Sequence, residues 1–206
     1  MTVARLGLAM AVLALAVLGA LHVLKPDIRP SSTMISQYAL GRYGWLMSLC
    51  FAAFAAASAC VFVALIPSVP ILLGRVGLAF LFTTAVGLGM AARFPMDPVS
   101  TTPERMSFSG KMHGLSFLIG VPSQILAVLL LSLALNAQSF PTSRSLLALT
   151  VVIWLSLAIM ATIMLIVGPG KAPNPNGPER FLGWPNRLFM IAYGAWLIVA
   201  ALPLAH

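Results

Sequence analysis

The chain has 206 residues, 60% of them hydrophobic and only 8% charged, with a formal net charge of +8. Water-soluble domains carry about 25% charged residues, so a chain this poor in charge cannot cover its own surface in water. Its twelve basic residues are scattered over every connector, with no dense run and no aromatic–basic strip, which excludes a nucleic-acid interface and suits anionic lipid headgroups.

The first apolar stretch, Leu6–Leu24, follows Arg5. It is longer than the roughly 7–15 residues of a secretory h-region, and no small-x-small cleavage site follows it, so it reads as a membrane anchor. A spanning helix needs about 20 mainly apolar residues, and five more stretches meet that length in turn: Trp45–Ile66, Ile71–Ala92, His113–Leu135, Leu146–Val167 and Leu188–Leu204. None shows the in–out alternation of a membrane barrel. Each must satisfy its own backbone groups in lipid, which leaves only the helix. The predicted fold is all-α: one integral-membrane domain over residues 1–206, a bundle of six transmembrane helices with both termini on the same side.

Punctuation in the chain supports these boundaries. Pro67 stops the second span and Pro70 suits the first turn of the third. Cys50 and Cys60 share the second span, ten residues and roughly 15 Å of helix apart, too far for a disulfide within that helix. The same span has small residues four apart, such as Ala53 and Ala57, which suit close helix packing. In the fourth span Pro122 frees the carbonyl of Leu118, and Ser123 and Gln124 after it make a polar patch at membrane depth. Gly168-Pro169-Gly170 ends the fifth span, and Lys171–Pro178 reads as an irregular loop.

Connector lengths alternate, so the three long ones, Lys25–Gly44, Arg93–Met112 and Gly168–Arg187, share one face. All four acids and nine of the twelve basic residues lie there. By the positive-inside count that face is cytoplasmic, and the expected location is a cell membrane.

Chemistry-bearing residues cluster on the same face. His22 ends the first span and His113 opens the fourth, while Asp97 follows the third. An ionisable group at membrane depth is a functional candidate by default, and an imidazole there can serve as acid, base or ligand. The bland alternative is that His113 merely ties two loops together. There is no H-x-x-x-H, H-E-x-x-H or C-x-x-C, so no metal site is expected, and no motif names a cofactor. Ser36-Gln37-Tyr38 leads towards the second span. Ser36 would be a nucleophile if His113 lay beside it, although capping and a headgroup-belt tyrosine explain the same residues. Before the sixth span, Glu179 can pair with a basic residue and Arg180 can hold a carboxylate or phosphate, or both can form an interfacial ion pair beside Trp184.

Taken in order, Ser36-x-Tyr38 with the glycines after it, Phe94-Pro95-x-Asp97, His113-Gly114 and Gly177-x-Glu179-Arg180 resemble the domain-of-unknown-function 998 family of polytopic, mainly prokaryotic membrane proteins. The chain departs from the expected pattern at Pro178, where a larger apolar residue is anticipated. The resemblance spans nearly the whole chain. It implies a six-helix bundle and a site built from these loop residues, and it brings no established activity.

The expected site is a polar pocket on the long-connector face, with His113 as acid/base, Asp97 as its orienting partner, and Ser36, Tyr38, Glu179 and Arg180 around the substrate. A membrane enzyme acting on a lipid or isoprenoid-like substrate is favoured over a non-catalytic transporter or scaffold, because no charge sits mid-span where transporters place one. Membrane lipids are the expected partners, with a second copy of the chain or another membrane protein as further candidates.

Overall fold

The computed structural model describes residues 2–167 and 177–205. Most of the Lys171–Pro178 loop expectation therefore lies outside the described residues. Six helices are long and apolar enough to cross a membrane: α1 (Val3–Leu24), α2 (Gly44–Leu65), α3 (Leu72–Arg93), α4 (Phe108–Ala137), α5 (Ser143–Val167) and α6 (Gly183–Ala201). Short 3-10 turns punctuate the connectors, and no strand occurs among the described residues.

Each helix packs on its neighbours in the chain, and α1 against α6 closes the ring, while α2 and α6 also touch across its middle. The tightest crossing joins α3 to α4 at paired glycines. A Cβ on Gly87 would lie 2.7 Å from the Cα of Gly120, so only glycine lets these backbones meet. Lipid supplies no hydrophobic drive between helices, and such close van der Waals packing replaces it. In α2, Ala53 and Ala57 face the core, whereas Ala52 faces outward.

Buried hydroxyls stitch the interior. The Trp196 indole N–H donates to Ser132 Oγ over 2.9 Å, and Ser132 pairs with Thr150 at 2.9 Å, tying α6, α4 and α5 together. Ser58 and Tyr193 join α2 to α6 at 2.7 Å. Interhelical bonds of this kind contribute about 0.6–2 kcal/mol each in lipid.

The two ends of the bundle are pinned differently. At the short-connector end, Arg5 Nε donates to the Ala205 carbonyl at 2.5 Å and Thr142 Oγ1 to the Val199 carbonyl at 3.0 Å, so both termini share that end. At the other end the first long connector folds over the bundle and is held by the start of α6. Gly183 N–H donates to the Ser31 carbonyl at 2.7 Å, and Asn186 Oδ1 accepts from Ile35 N–H at 2.8 Å.

Two helices begin more than a full turn earlier than hydropathy indicates, each for a physical reason. α4 starts at Phe108, so His113 lies in its second turn instead of opening it. Ser107 caps this start by accepting from Gly110 N–H at 3.0 Å, which satisfies one of the orphan donors of a helix N-terminus. α6 starts at Gly183, with Pro185 in its first turn, where a missing N–H costs nothing.

Candidate functional site

Within the long-connector half of the bundle lies a cavity of about 90 Å³, walled by five helices and roofed by Met34, Ile35 and Ser36 of the first connector. Its apolar wall includes Phe51 and Met160. Its polar groups come from Ser36, His113, Ser116, Gln124 and Asn186. Ser116 is committed, its hydroxyl donating to the His113 carbonyl at 2.6 Å. Asn186 is also spoken for: its oxygen holds Ile35, and its Nδ2 lies 3.8 Å from the Met160 sulfur.

His113 is oriented by backbone. Its Nδ1 donates to the Phe94 carbonyl over 2.9 Å. A carbonyl can only accept, so the proton sits on Nδ1, and the neutral ring presents Nε2 as a base. Gln124 is the exception in the wall. It is 2% exposed, and its amide nitrogen has no hydrogen-bond partner among the described residues. Leaving such a donor unmade costs about 1–3 kcal/mol, and native proteins rarely tolerate that without a reason.

Of the expected pocket residues whose side chains are described, Ser36 and His113 line this chamber, and Asp97, Tyr38 and Arg180 do not. Asp97 does not orient His113. Its carboxylate accepts instead from Ser107 N–H at 2.7 Å and from Ser107 Oγ at 2.8 Å, buttressing the cap of α4. A Cβ on Gly110 would overlap that carboxylate, so glycine is required there by close approach. With Ser109 Oγ donating to the Pro95 carbonyl at 2.8 Å, the Phe94–Asp97 segment is latched to the first two turns of α4. The latch sets the ring of His113 through Phe94, the backbone doing what a carboxylate was expected to do.

Tyr38 is fully buried but belongs to a second cluster. Arg187, only 3% exposed, donates from Nε to His22 Nε2 at 2.7 Å, from Nη1 to the carbonyls of Thr33 (2.6 Å) and Gly183 (3.1 Å), and from Nη2 to the Tyr38 hydroxyl at 3.1 Å. His22 Nδ1 donates to the Leu18 carbonyl at 2.7 Å, which leaves Nε2 free to accept from the arginine. Lys25 is buried too, and its ammonium donates to the carbonyls of Tyr38, at 3.0 Å, and Leu40. These cations clamp the first connector over the chamber. Arg180 is exposed, lies over the Phe181 ring at 4.5 Å and does not line the chamber. The Glu179 side chain lies outside the described residues.

The sequence places Lys25 among the long-connector charges and Asn186 and Arg187 beside Trp184 before the sixth span, without showing that Arg187 is buried or that Asn186 holds the first connector. The available signal was Pro185. A proline in a first turn moves the helix start before it, which places Asn186 and Arg187 inside α6. For Gln124 the signal was the polar patch after Pro122.

A family model described as "Protein of unknown function (DUF998)" matches residues 8–203. Comparison with curated proteins and with solved structures returns no match.

Proposed function

Because the chain belongs to the DUF998 family of proteins of unknown function, which leaves its chemistry open, we propose from the geometry of the chamber that it is a membrane enzyme acting on a lipid or isoprenoid-like substrate. The polar end of the substrate enters the chamber and His113 serves as acid/base. The observation that carries this reading is the unpartnered Gln124 amide in the wall it shares with His113. An ester or phosphoryl oxygen on a substrate would accept from that amide and recover the lost hydrogen bond. His113, with one nitrogen committed to Phe94, has the other available to move a proton to or from the same group. The Ser36 hydroxyl, without a partner among the described residues, or a water is the group it would activate.

The substrate's apolar part has a place as well. A groove of about 270 Å³ on the outer face of α4 and α5 shares Phe117, Val121 and Met160 with the chamber. A chain lying there in the bilayer would be separated from the polar groups by those side chains alone, and methionine is the most adaptable of them. Transport is less well supported. Below the chamber the Trp196–Ser132–Thr150 and Ser58–Tyr193 layers are fully packed and hydrogen-bonded, which speaks against a path through the bundle. A prokaryotic cell membrane remains the proposed setting. With Lys25 and Arg187 acting as structural cations the basic bias is seven to three, still favouring a cytoplasmic long-connector face.

The test compares the lipids of cells lacking the gene with those of cells carrying the wild type or His113→Ala. The expected result is a lipid species that accumulates without the protein, returns to normal with the wild type, and stays high with a folded, membrane-inserted His113→Ala. An unchanged lipid profile on deletion would overturn the enzymatic reading.

A further inference from the structure

A second groove, of about 820 Å³, runs down the outside of the bundle between α1, α5 and α6, on a different face from the chamber's α4–α5 wall. Its deep walls are apolar, formed among others by Leu15, Leu18, Ile159 and Ile191. His22, Trp184 and Arg187 border it at the long-connector end. From Leu15 to His22 is seven residues of helix, about 10 Å, enough to seat the upper part of an acyl chain.

The head of the groove is cationic and incompletely satisfied. With Nδ1 bonded to Leu18 and Nε2 accepting from Arg187, His22 is neutral and cannot offset the guanidinium charge. Among the described residues no carboxylate lies within ion-pair reach of Arg187. Within the same described residues four of its five N–H donors are used, leaving one on Nη2. Trp184 beside it is exposed, as an amphipathic ring at the headgroup level should be. Gly19 marks a space kept clear: a Cβ added there meets nothing within 4 Å.

We propose that this groove is a binding site for one anionic phospholipid of the leaflet at the long-connector face, with its phosphate at Arg187 and Trp184 and one acyl chain along α1 and α6. The lipid supplies a negative charge to the Arg187 cluster, and so fastens the clamp that holds the first connector over the bundle. The site is separate from the chamber and does not depend on its chemistry.

Gly19→Leu tests this without touching Arg187. The new side chain occupies the acyl path, and leucine is the better helix former, so folding is preserved. The full-length protein, delipidated in detergent, is titrated with phosphatidylglycerol and with phosphatidylcholine of identical chains, and bound lipid is read by native mass spectrometry. Wild type is expected to hold one phosphatidylglycerol about fivefold more tightly than phosphatidylcholine, the preference one arginine confers at a membrane surface. Gly19→Leu is expected to lose phosphatidylglycerol by about tenfold or more, with its Tm in the absence of lipid unchanged or raised. Equal retention of the two lipids by wild type, or undiminished phosphatidylglycerol on Gly19→Leu, would overturn the proposal. Gln124→Leu, which alters only the chamber, should keep the phosphatidylglycerol, so that failure of the chamber reading and failure of this one are told apart.

Discussion

Arg187 and His22, 165 residues apart, share a 2.7 Å hydrogen bond in which the guanidinium Nε donates to the imidazole Nε2. The contact joins the last turns of α1 to the first turns of α6 and so fastens the two ends of the helical ring. It also fixes the histidine in one neutral tautomer, because the Leu18 carbonyl accepts from the N–H of the other ring nitrogen. A buried cation depends on such acceptors: each one satisfies a donor that lipid would leave bare.

Replacing His22 by alanine removes that acceptor and leaves Arg187 Nε unmet. The expected cost is about 1.5–3 kcal/mol, the range for hydrogen bonds to charged groups, read as a fall in Tm in detergent. His22→Gln, whose amide oxygen can accept from Arg187, should recover part of the loss. Equal destabilisation by alanine and glutamine would show that ring packing against Tyr38, at 5.2 Å between centroids, outweighs the hydrogen bond.

Asp97 and Gly110 act together on the start of α4, and their variants should look alike. Asp97→Ala deletes both bonds to Ser107, while Gly110→Ala pushes the carboxylate out of place. Each is expected to cost about 1–2 kcal/mol, as for a lost helix cap, and to raise amide exchange over residues 107–112 before any deeper part of α4. Asp97→Asn keeps an acceptor and should lose less. Were Asp97 a partner of the His113 ring, its loss would leave exchange at the helix start unchanged.

The membrane architecture was legible from residues because hydropathy, length and the demand for internal backbone bonding all point the same way. The site was legible only in part. His113 and Ser36 stand out chemically against an apolar background and line one chamber, and the topology that brings their connectors to one face follows from six antiparallel spans. Asp97 was misplaced because a carboxylate near a histidine in sequence terms says nothing about which N–H groups reach it first. Ser107, ten residues away, supplies both a backbone and a side-chain donor. The burial of Arg187 was not legible because it rests on acceptors from two distant segments, His22 and Thr33–Tyr38, besides Gly183 one turn before it, and no local pattern shows their convergence.

Ser132 sits at a junction, accepting from the Trp196 indole while paired with Thr150. Ser132→Ala strands the indole N–H in a fully buried place, at an expected cost of about 1–2 kcal/mol. Ser132→Ala with Trp196→Phe removes donor and acceptor together and should restore much of the loss. A double-mutant cycle in detergent Tm measures the coupling. Additive effects would show that the bond contributes nothing beyond packing.

Gln124 sets stability against function. Its amide nitrogen is buried without a partner among the described residues, at a cost of about 1–3 kcal/mol. Gln124→Leu replaces it with an apolar side chain of similar size in a wall that is already largely apolar, next to Phe51 and Met160. The variant is therefore expected to unfold at a higher temperature than wild type and, in the lipid comparison, to behave like the deletion. Side-chain optimisation usually raises stability at no such cost away from a site, whereas groups held in place for a ligand give the opposite pairing of effects. A Tm gain with lipid profiles like those of the wild type would mean that the amide serves no ligand. A Tm loss would mean that the amide finds a partner in the folded protein, and the chamber would then lose the observation on which its assignment stands.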